Sequence, residues 1–229
     1  LRQGEHSLEV FRASDSTWWT NHRLTNVEAR GASFALPPEQ DAMQLTHQHL
    51  DRFGFDVREA KPARVTYTES SSATNPDARV RTAMDVNYRF TVQGFPVFGP
   101  GAKIKVTLGN DAELAQIAYF WREAEVEGDF APVAPADAIA ILHDDPVFSR
   151  LDSAAGARVY IKSMALGFYA MSPSKFQQFY IPAYAIDAVV DTPTFPNHFV
   201  RRYVHARKLT VEESKASRYA AAPEVRSVF

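Results

Sequence analysis

Residues 92–123 read VQGFPVFGPGAKIKVTLGNDAELAQIAYFWRE, and this stretch decides the fold that the sequence predicts. It contains two runs of alternating side chains, KIKVTL and LAQIAYF, separated by Gly109-Asn110-Asp111. Alternation with a period of two is typical of a half-buried strand, and a Gly/Asn/Asp cluster between two such strands favours a hairpin. We therefore interpret residues 92–123 as part of an antiparallel meander.

The bend Gly99-Pro100-Gly101-Ala102-Lys103 raises the question of a phosphate-binding loop. Such a loop needs Gly-x4-Gly-Lys-Ser/Thr followed by a helix, whose N-terminus supplies amide donors. Gly94 and Gly99 have that spacing, but Pro100 replaces the Lys and an alternating strand follows. The glycines are therefore interpreted as bend residues between strands.

The sequence on both sides of this stretch predicts the same order of elements twice, a helix followed by several strands. A helix is predicted from Pro38 to Phe53, with strands over 63–69 and 80–94 before the meander. A second helix is predicted from Pro135, and it is followed by strand-like runs over 157–171, 175–190 and 198–210. The two halves share the order of predicted elements but not the amino-acid sequence.

This repetition predicts an α+β fold of two tandem modules, each a helix packed on an antiparallel β-meander sheet. Residues 1–37 are expected to form an N-terminal strand and an irregular aromatic segment. The modules are expected over 38–127 and 128–210, and 211–229 is expected to be a C-terminal helix followed by a tail or linker.

Several motifs resemble the PepSY-like, cystatin-like α+β module. In the second half these are PADAIAIL, YIPAYAIDA and FVRRYVHA, and in the first half the run from Tyr88 to Glu123, although Asp111-Ala112 departs from the family's usual Asp-Gly turn. The resemblance implies tandem PepSY-like domains, as in extracytoplasmic regulatory proteins and in propeptides of secreted proteases. It offers no catalytic residues to carry over.

Composition narrows the class of protein. The 229 residues carry a net charge of −2, so no global positive field favours nucleic acid as a partner. Cysteine is absent, which removes disulfides and thiolate metal sites. No apolar run approaches the roughly 20 residues that span a bilayer. We predict no cofactor and an extracytoplasmic or secreted location, with the cytoplasm left open; the first residue, Leu1, suggests a processed or trimmed start.

Two histidine clusters raise metal and acid–base hypotheses. His47 and His49 point about 200° apart on a helix, so they do not face one ion, and no metal site is predicted. His143 precedes two aspartates, which suggests a general base beside a carboxylate, but the same residues suit a helix C-terminus. His143 and His205 are kept as the acid–base candidates of an alternative pocket, and no catalytic residue is assigned.

Aromatic and basic side chains provide the candidates for partner binding. The adjacent pair Trp18-Trp19 is hard to bury in one core, because neighbours in an extended chain face opposite ways. The candidate residues are Trp18, Trp19, Phe98, Arg201, Tyr203 and Arg207.

These features favour a non-enzymatic regulatory or binding protein that acts through a protein partner, with control or inhibition of an attached or neighbouring enzyme as its specific form. The alternatives are a small-ligand-binding protein or enzyme with an apolar pocket under a curved sheet, and the N-terminal regulatory part of a larger enzyme.

Overall fold

A computed structural model describes residues 1–25, 34–72, 75–124, 128–143, 148, 157–193 and 196–207. The chain divides into two compact units. The first comprises Leu1–Ala124 with Ala170–Phe179, and the second comprises Glu125–Tyr169 with Tyr180–Phe229. The predicted C-terminal helix and tail, 211–229, lie outside the described residues.

Antiparallel strands dominate the first unit. The strands are β1 (Arg2–Gln3), β2 (His6–Phe11), β3 (Ser16–Asn21), β4 (Ala60–Ser72), β5 (Asn75–Val92), β6 (Phe95–Phe98), β7 (Lys103–Leu108) and β8 (Leu114–Phe120). In spatial order they run β4-β5-β7-β8-β3-β2-β1, and the short β6 pairs with the end of β5.

Strand register aligns one apolar row and one polar row across this sheet, because residues opposite each other on paired strands point the same way. The apolar row crosses six strands through Val65, Val86, Val106, Ile117, Trp19 and Leu8. The polar row consists of their sequence neighbours Thr66, Asp85, Thr107, Gln116, Thr20 and Ser7. Alternation therefore places the two rows on opposite faces.

Helix α2 (Glu39–Arg52) packs on the apolar side of the sheet. It follows Pro38, carries acidic residues in its first turn and is followed by Gly54 with φ +73°, as suits the two ends of a helix. Its buried residues recur every four positions, at Ala42, Thr46 and Leu50. The Thr46 hydroxyl is hydrogen-bonded to the Tyr88 hydroxyl of β5 at 2.8 Å, which fixes the helix over the sheet.

The second unit contains a three-stranded antiparallel sheet, β9 (Arg158–Tyr169), β10 (Ile181–Asp191) and β11 (His198–His205), in the order β9-β10-β11. Helix α3 (Pro135–His143) covers one face. Its buried Ala138 and Leu142 pack in one cluster with side chains of β10 and β11 that include Ile186 and Val204. Burial of that apolar cluster is the main stabilising contribution in this unit.

The predicted fold class, α+β with two helix-on-meander modules, is wrong. The described residues form eleven strands and only three α-helices, one of which, α1 (His22–Thr25), is a single turn. The segment interpreted as irregular forms β3, which pairs with β8 and joins β1 and β2 to the first sheet. Because β3 pairs with β2 and β8, Trp18 and Trp19 each find side chains of neighbouring strands to pack against, one on each face of the sheet. This explains why the aromatic segment forms a strand.

The Gly99–Lys103 bend connects β6 to β7, and Gly99 adopts φ +91°. The next connection, from β7 to β8, is a tight turn over Asn110–Ala112 in which both Asp111 (φ +53°) and Ala112 (φ +59°) are left-handed. Positive φ at both central residues is the type I′ pattern, for which Asp-Gly is preferred. Ala112 therefore occupies a position that suits glycine better.

Residues Ala170–Phe179, named the docked segment, lie between β9 and β10 in sequence but belong to the first unit. The Arg122 guanidinium holds this segment by donating to three of its backbone carbonyl oxygens, those of Met171 (3.1 Å), Ser172 (3.1 Å) and Lys175 (2.8 Å). The Gly101 N–H adds a hydrogen bond to the Ala170 oxygen at 3.2 Å. Residues 92–123 thus provide the binding surface for a segment that begins about seventy residues after Gly101.

Candidate functional site

The predicted partner-binding residues divide between the two units. Trp18, Trp19 and Phe98 belong to the first unit, whereas Arg201, Tyr203 and Arg207 belong to the second. The acid–base candidates His143 and His205 are also in the second unit.

Trp18 and Trp19 lie on opposite faces of β3. Trp18 is 37% exposed and meets Phe120 edge to face at 6.3 Å. Trp19, on the apolar side, stacks on His6 at 5.5 Å and contacts Phe53 at 5.6 Å. Both rings have neighbours within the sheet, so part of their apolar surface already contributes to folding.

Aromatic contacts continue beyond Trp19 along the end of α2. Phe53 stacks on Phe55, and Phe55 stacks on Tyr119 at 4.3 Å. The Tyr119 hydroxyl donates to the backbone oxygen of Asp56 at 3.0 Å. Burial, followed by the charges of Asp56 and Glu123, raises the pKa of Tyr119 to about 12.

Phe98 ends β6 beside the Gly99 bend and is half-buried. Its backbone oxygen accepts a hydrogen bond from the Ala170 N–H at 2.8 Å. Phe98 therefore lies where the docked segment begins, and its backbone contributes to holding that segment.

Arg201 and Tyr203 share the face of the second sheet that is opposite α3. Along β11 these residues alternate with Val200 and Val204, which pack in the core. Phe199 is on the same face as Arg201, and the register through Val189 places Tyr160 there as well. Three aromatic rings, those of Tyr160, Phe199 and Tyr203, are thus exposed on one sheet face at 44%, 54% and 39%.

Cationic groups surround these rings. Arg158 follows the same alternation as Tyr160, and the Lys162 ammonium lies 5.8 Å from the Tyr160 ring centre. We name this surface, made of Tyr160, Phe199, Tyr203, Arg158, Lys162 and Arg201, the aromatic–basic face. Asp187 and Asp191 lie on the same face, opposite Arg201 and Arg158 on the paired strands, whereas Arg202 lies on the other face opposite Ile186.

Asp187 fixes Arg201 on this face. The Arg201 Nη2 donates to Asp187 Oδ2 at 2.7 Å, and the Ser163 hydroxyl donates to the same oxygen at 2.9 Å. The hydrogen bond from Arg201, assisted by that from Ser163, holds the pKa of Asp187 below its ordinary value. The guanidinium is therefore held in place at neutral pH.

The two histidine candidates occupy the ends of elements. His143 is the last residue of α3 and His205 is the last residue of β11. Asp144, Asp145 and Pro146, on which the His143 hypothesis depended, lie outside the described residues. Arg207 is half-buried just beyond β11.

A polar pocket in the first unit was missed by sequence reasoning. It has a volume of about 190 Å³ on the polar side of the sheet, and its lining includes Asp85, Lys105, Thr107, Thr68, Thr82 and Gln116. The signal was present as the polar positions of β5 and β7, but only the strand register shows that these positions meet.

Neither a metal cluster nor a membrane helix emerges from the part of the chain that the structure describes. Its His, Asp and Glu residues form no group of three or more that could hold an ion, and its helices are too short or too polar to cross a bilayer. In comparison with known proteins, no family model matches the chain and no curated protein is significantly similar to it.

Proposed function

We propose that the protein acts non-enzymatically, by binding an acidic partner protein through its aromatic–basic face. The observation that carries the proposal is the exposure of Tyr160, Phe199 and Tyr203 on one sheet face together with a fixed Arg201. Contiguous exposed apolar surface marks interaction sites, and Tyr, Phe and Arg are enriched at interfaces.

The charged side chains of the aromatic–basic face favour an acidic partner. The aromatic–basic face carries Arg158, Lys162 and Arg201 together with the carboxylates of Asp187 and Asp191, so its excess of positive charge is small but opposite in sign to the charge of the chain as a whole. Complementary charge would steer an acidic partner to this face and raise its association rate. The resemblance to PepSY-like modules implies control of an attached or neighbouring enzyme outside the cytoplasm, and we include that role in the proposal.

Site-specific photo-crosslinking tests the proposal in cells that produce the full chain. A photoreactive phenylalanine analogue is placed at Phe199 and, as a matched control, at Phe179, because both side chains are 54% exposed. A discrete adduct is expected at Phe199 and not at Phe179. The captured protein is then purified and its affinity is measured by calorimetry.

Affinity measurements with purified partner separate this face from other surfaces. We expect Phe199→Ala to weaken binding at least tenfold, about 1.4 kcal/mol, and Phe179→Ala to leave it unchanged. Lys162→Glu should slow association, and added salt should reduce the wild-type rate. An adduct at Phe179 alone, or wild-type affinity for Phe199→Ala, would exclude the aromatic–basic face as the docking surface.

A further inference from the structure

The polar side of the first sheet buries charged and hydroxyl groups more deeply than an open, solvated face would. The Asp85 side chain is only 15% exposed and that of Lys105 only 25%. Thr82 and Thr107 are each 7% exposed. Burying such groups costs free energy unless they are paired, so the hydrogen-bond partner of each group decides whether the arrangement is stable.

These groups are ordered before any ligand binds. The Thr107 hydroxyl donates to Asp85 Oδ1 at 2.6 Å, and Lys105 Nζ lies 3.4 Å from the same carboxylate. On the next strand, the Gln116 amide donates to the Thr20 hydroxyl at 3.4 Å. A wall of paired donors and acceptors on rigid strands is preorganised, which lowers the entropy that a ligand loses on binding.

The balance of charge in the pocket selects the class of ligand. A ligand ammonium near Asp85 would also approach the Lys105 ammonium, and a ligand carboxylate or phosphate near Lys105 would also approach Asp85. A neutral hydroxyl avoids both repulsions, because it can donate to the carboxylate and accept from the ammonium. Two adjacent hydroxyls on one small ring could hydrogen-bond to the Asp85 carboxylate and the Lys105 ammonium at the same time.

The pocket is partly open to solvent, so its size limits only the part of a ligand that the protein surrounds. The volume of about 190 Å³ is smaller than the roughly 300–1,000 Å³ of sites for drug-sized molecules. Leu24 and Ala83 supply apolar surface to the same lining. A single ring that carries both C–H surface and hydroxyl groups matches this mixture.

We propose that this pocket binds a neutral polyhydroxylated molecule of about monosaccharide size. Asp85 accepts from one hydroxyl, Lys105 donates to its neighbour, and the Thr68 and Gln116 side chains contact the remainder of the ring. The site is independent of the aromatic–basic face, since all the residues of its lining belong to the first unit.

Amide NMR on the isotope-labelled full chain tests the proposal. The probes are D-glucose, D-galactose and myo-inositol, and the comparison probes are glycine and inorganic phosphate. At least one polyol is expected to give saturable shifts at the amides of Asp85, Lys105 and Thr107 and at the Gln116 side-chain amide. Glycine and phosphate are expected to leave these signals unchanged.

Variants connect the binding to the pocket groups. We expect the double substitution Asp85→Asn with Lys105→Met, which keeps the pocket neutral, to weaken polyol binding at least tenfold. The matched control is Asp56→Asn with Arg58→Met, which removes an ion pair whose side chains are 40% and 89% exposed. Thr68→Val removes one exposed hydroxyl from a strand, and it provides a second measurement if the double variant does not fold.

Three results would overturn the proposal. The first is the absence of saturable shifts with every polyol at concentrations of tens of millimolar. The second is tighter binding of glycine or phosphate than of any polyol. The third is polyol binding that neither the double substitution nor Thr68→Val weakens.

Discussion

Gly101 lies so close to the carbonyl group of Met171 that a Cβ atom on Gly101 would overlap the carbonyl oxygen. The same Cβ would lie 2.6 Å from Nη1 of Arg122, the group that donates to this oxygen. Glycine is thus required by the backbone of the docked segment rather than by a ligand.

Gly101→Ala should therefore destabilise the protein by about 2–4 kcal/mol, because a backbone contact cannot move aside as a side chain can. Denaturant unfolding measures the change. Gly109→Ala is the control, since the nearest atoms to its Cβ are 3.8 Å away and its φ is −93°. Equal stability of the two variants would contradict the close approach.

Arg122→Met should release the docked segment while leaving the sheet intact. The substitution removes hydrogen bonds to three carbonyl oxygens, and we expect a loss of about 1–3 kcal/mol. Hydrogen exchange over residues 171–177 should accelerate more than exchange in β5 or β7. Arg58→Met, at a side chain that is 89% exposed, should change neither quantity.

Ala112→Gly should stabilise the protein by about 0.5–1 kcal/mol. Ala112 has φ +59°, a left-handed conformation that costs energy for alanine but not for glycine. Relief of this strain should stabilise the protein by more than glycine destabilises it through the added entropy of the unfolded chain. Thermal unfolding measures the effect. Ala118→Gly in strand β8 should instead lower the melting temperature, and a fall in both variants would contradict the left-handed conformation of Ala112.

Asp187 should contribute stability that depends on pH. Its folded-state pKa is depressed, first by the hydrogen bond from Arg201, so its contribution is present above the ordinary value of 3.8 and is lost as pH falls through the depressed value. Asp187→Asn should therefore destabilise the protein at pH 7 and have a smaller effect in acid. Carboxyl NMR titration should show the Asp187 pKa rising in Arg201→Ala; an unchanged value would contradict the assigned cause.

Tyr119 should make the protein sensitive to alkaline pH. Its folded-state pKa is raised to about 12, so the folded state binds this proton more tightly than the unfolded state does. Stability should decrease as pH rises from about 10 towards 12. Tyr119→Phe should reduce that slope and remove one late-titrating phenol from the ultraviolet absorbance titration. An identical slope in both proteins would show that another group is responsible.

Local patterns in the sequence anticipate many individual elements. The 3.6-residue spacing of Ala42, Thr46 and Leu50 predicts α2, and alternation predicts the central strands and the opposite orientation of Trp18 and Trp19. These features depend on neighbours a few residues apart. They can therefore be read without knowing which strands pair.

Long-range pairing explains what the sequence did not predict. Joining β3 to β8 places Trp18 beside Ala118, about a hundred residues away, and no local signal marks that partner. The pocket around Asp85 and Lys105 depends on the same kind of register. The predicted module boundaries likewise could not anticipate that Ala170–Phe179 belongs to the first unit, because Gly101 and Arg122 carry no sequence signature for it.

The position of the docked segment in the chain affects how the protein can be divided. Because β9 precedes this segment and β10 follows it, no single cut yields two fragments that each contain one whole unit. A fragment ending at Ala124 would lack the residues that Arg122 binds, and it should regain stability when a synthetic peptide of residues 170–179 is added in trans. Any fragment or fusion that divides the chain near Ala124 would therefore separate residues 170–179 from the rest of the first unit.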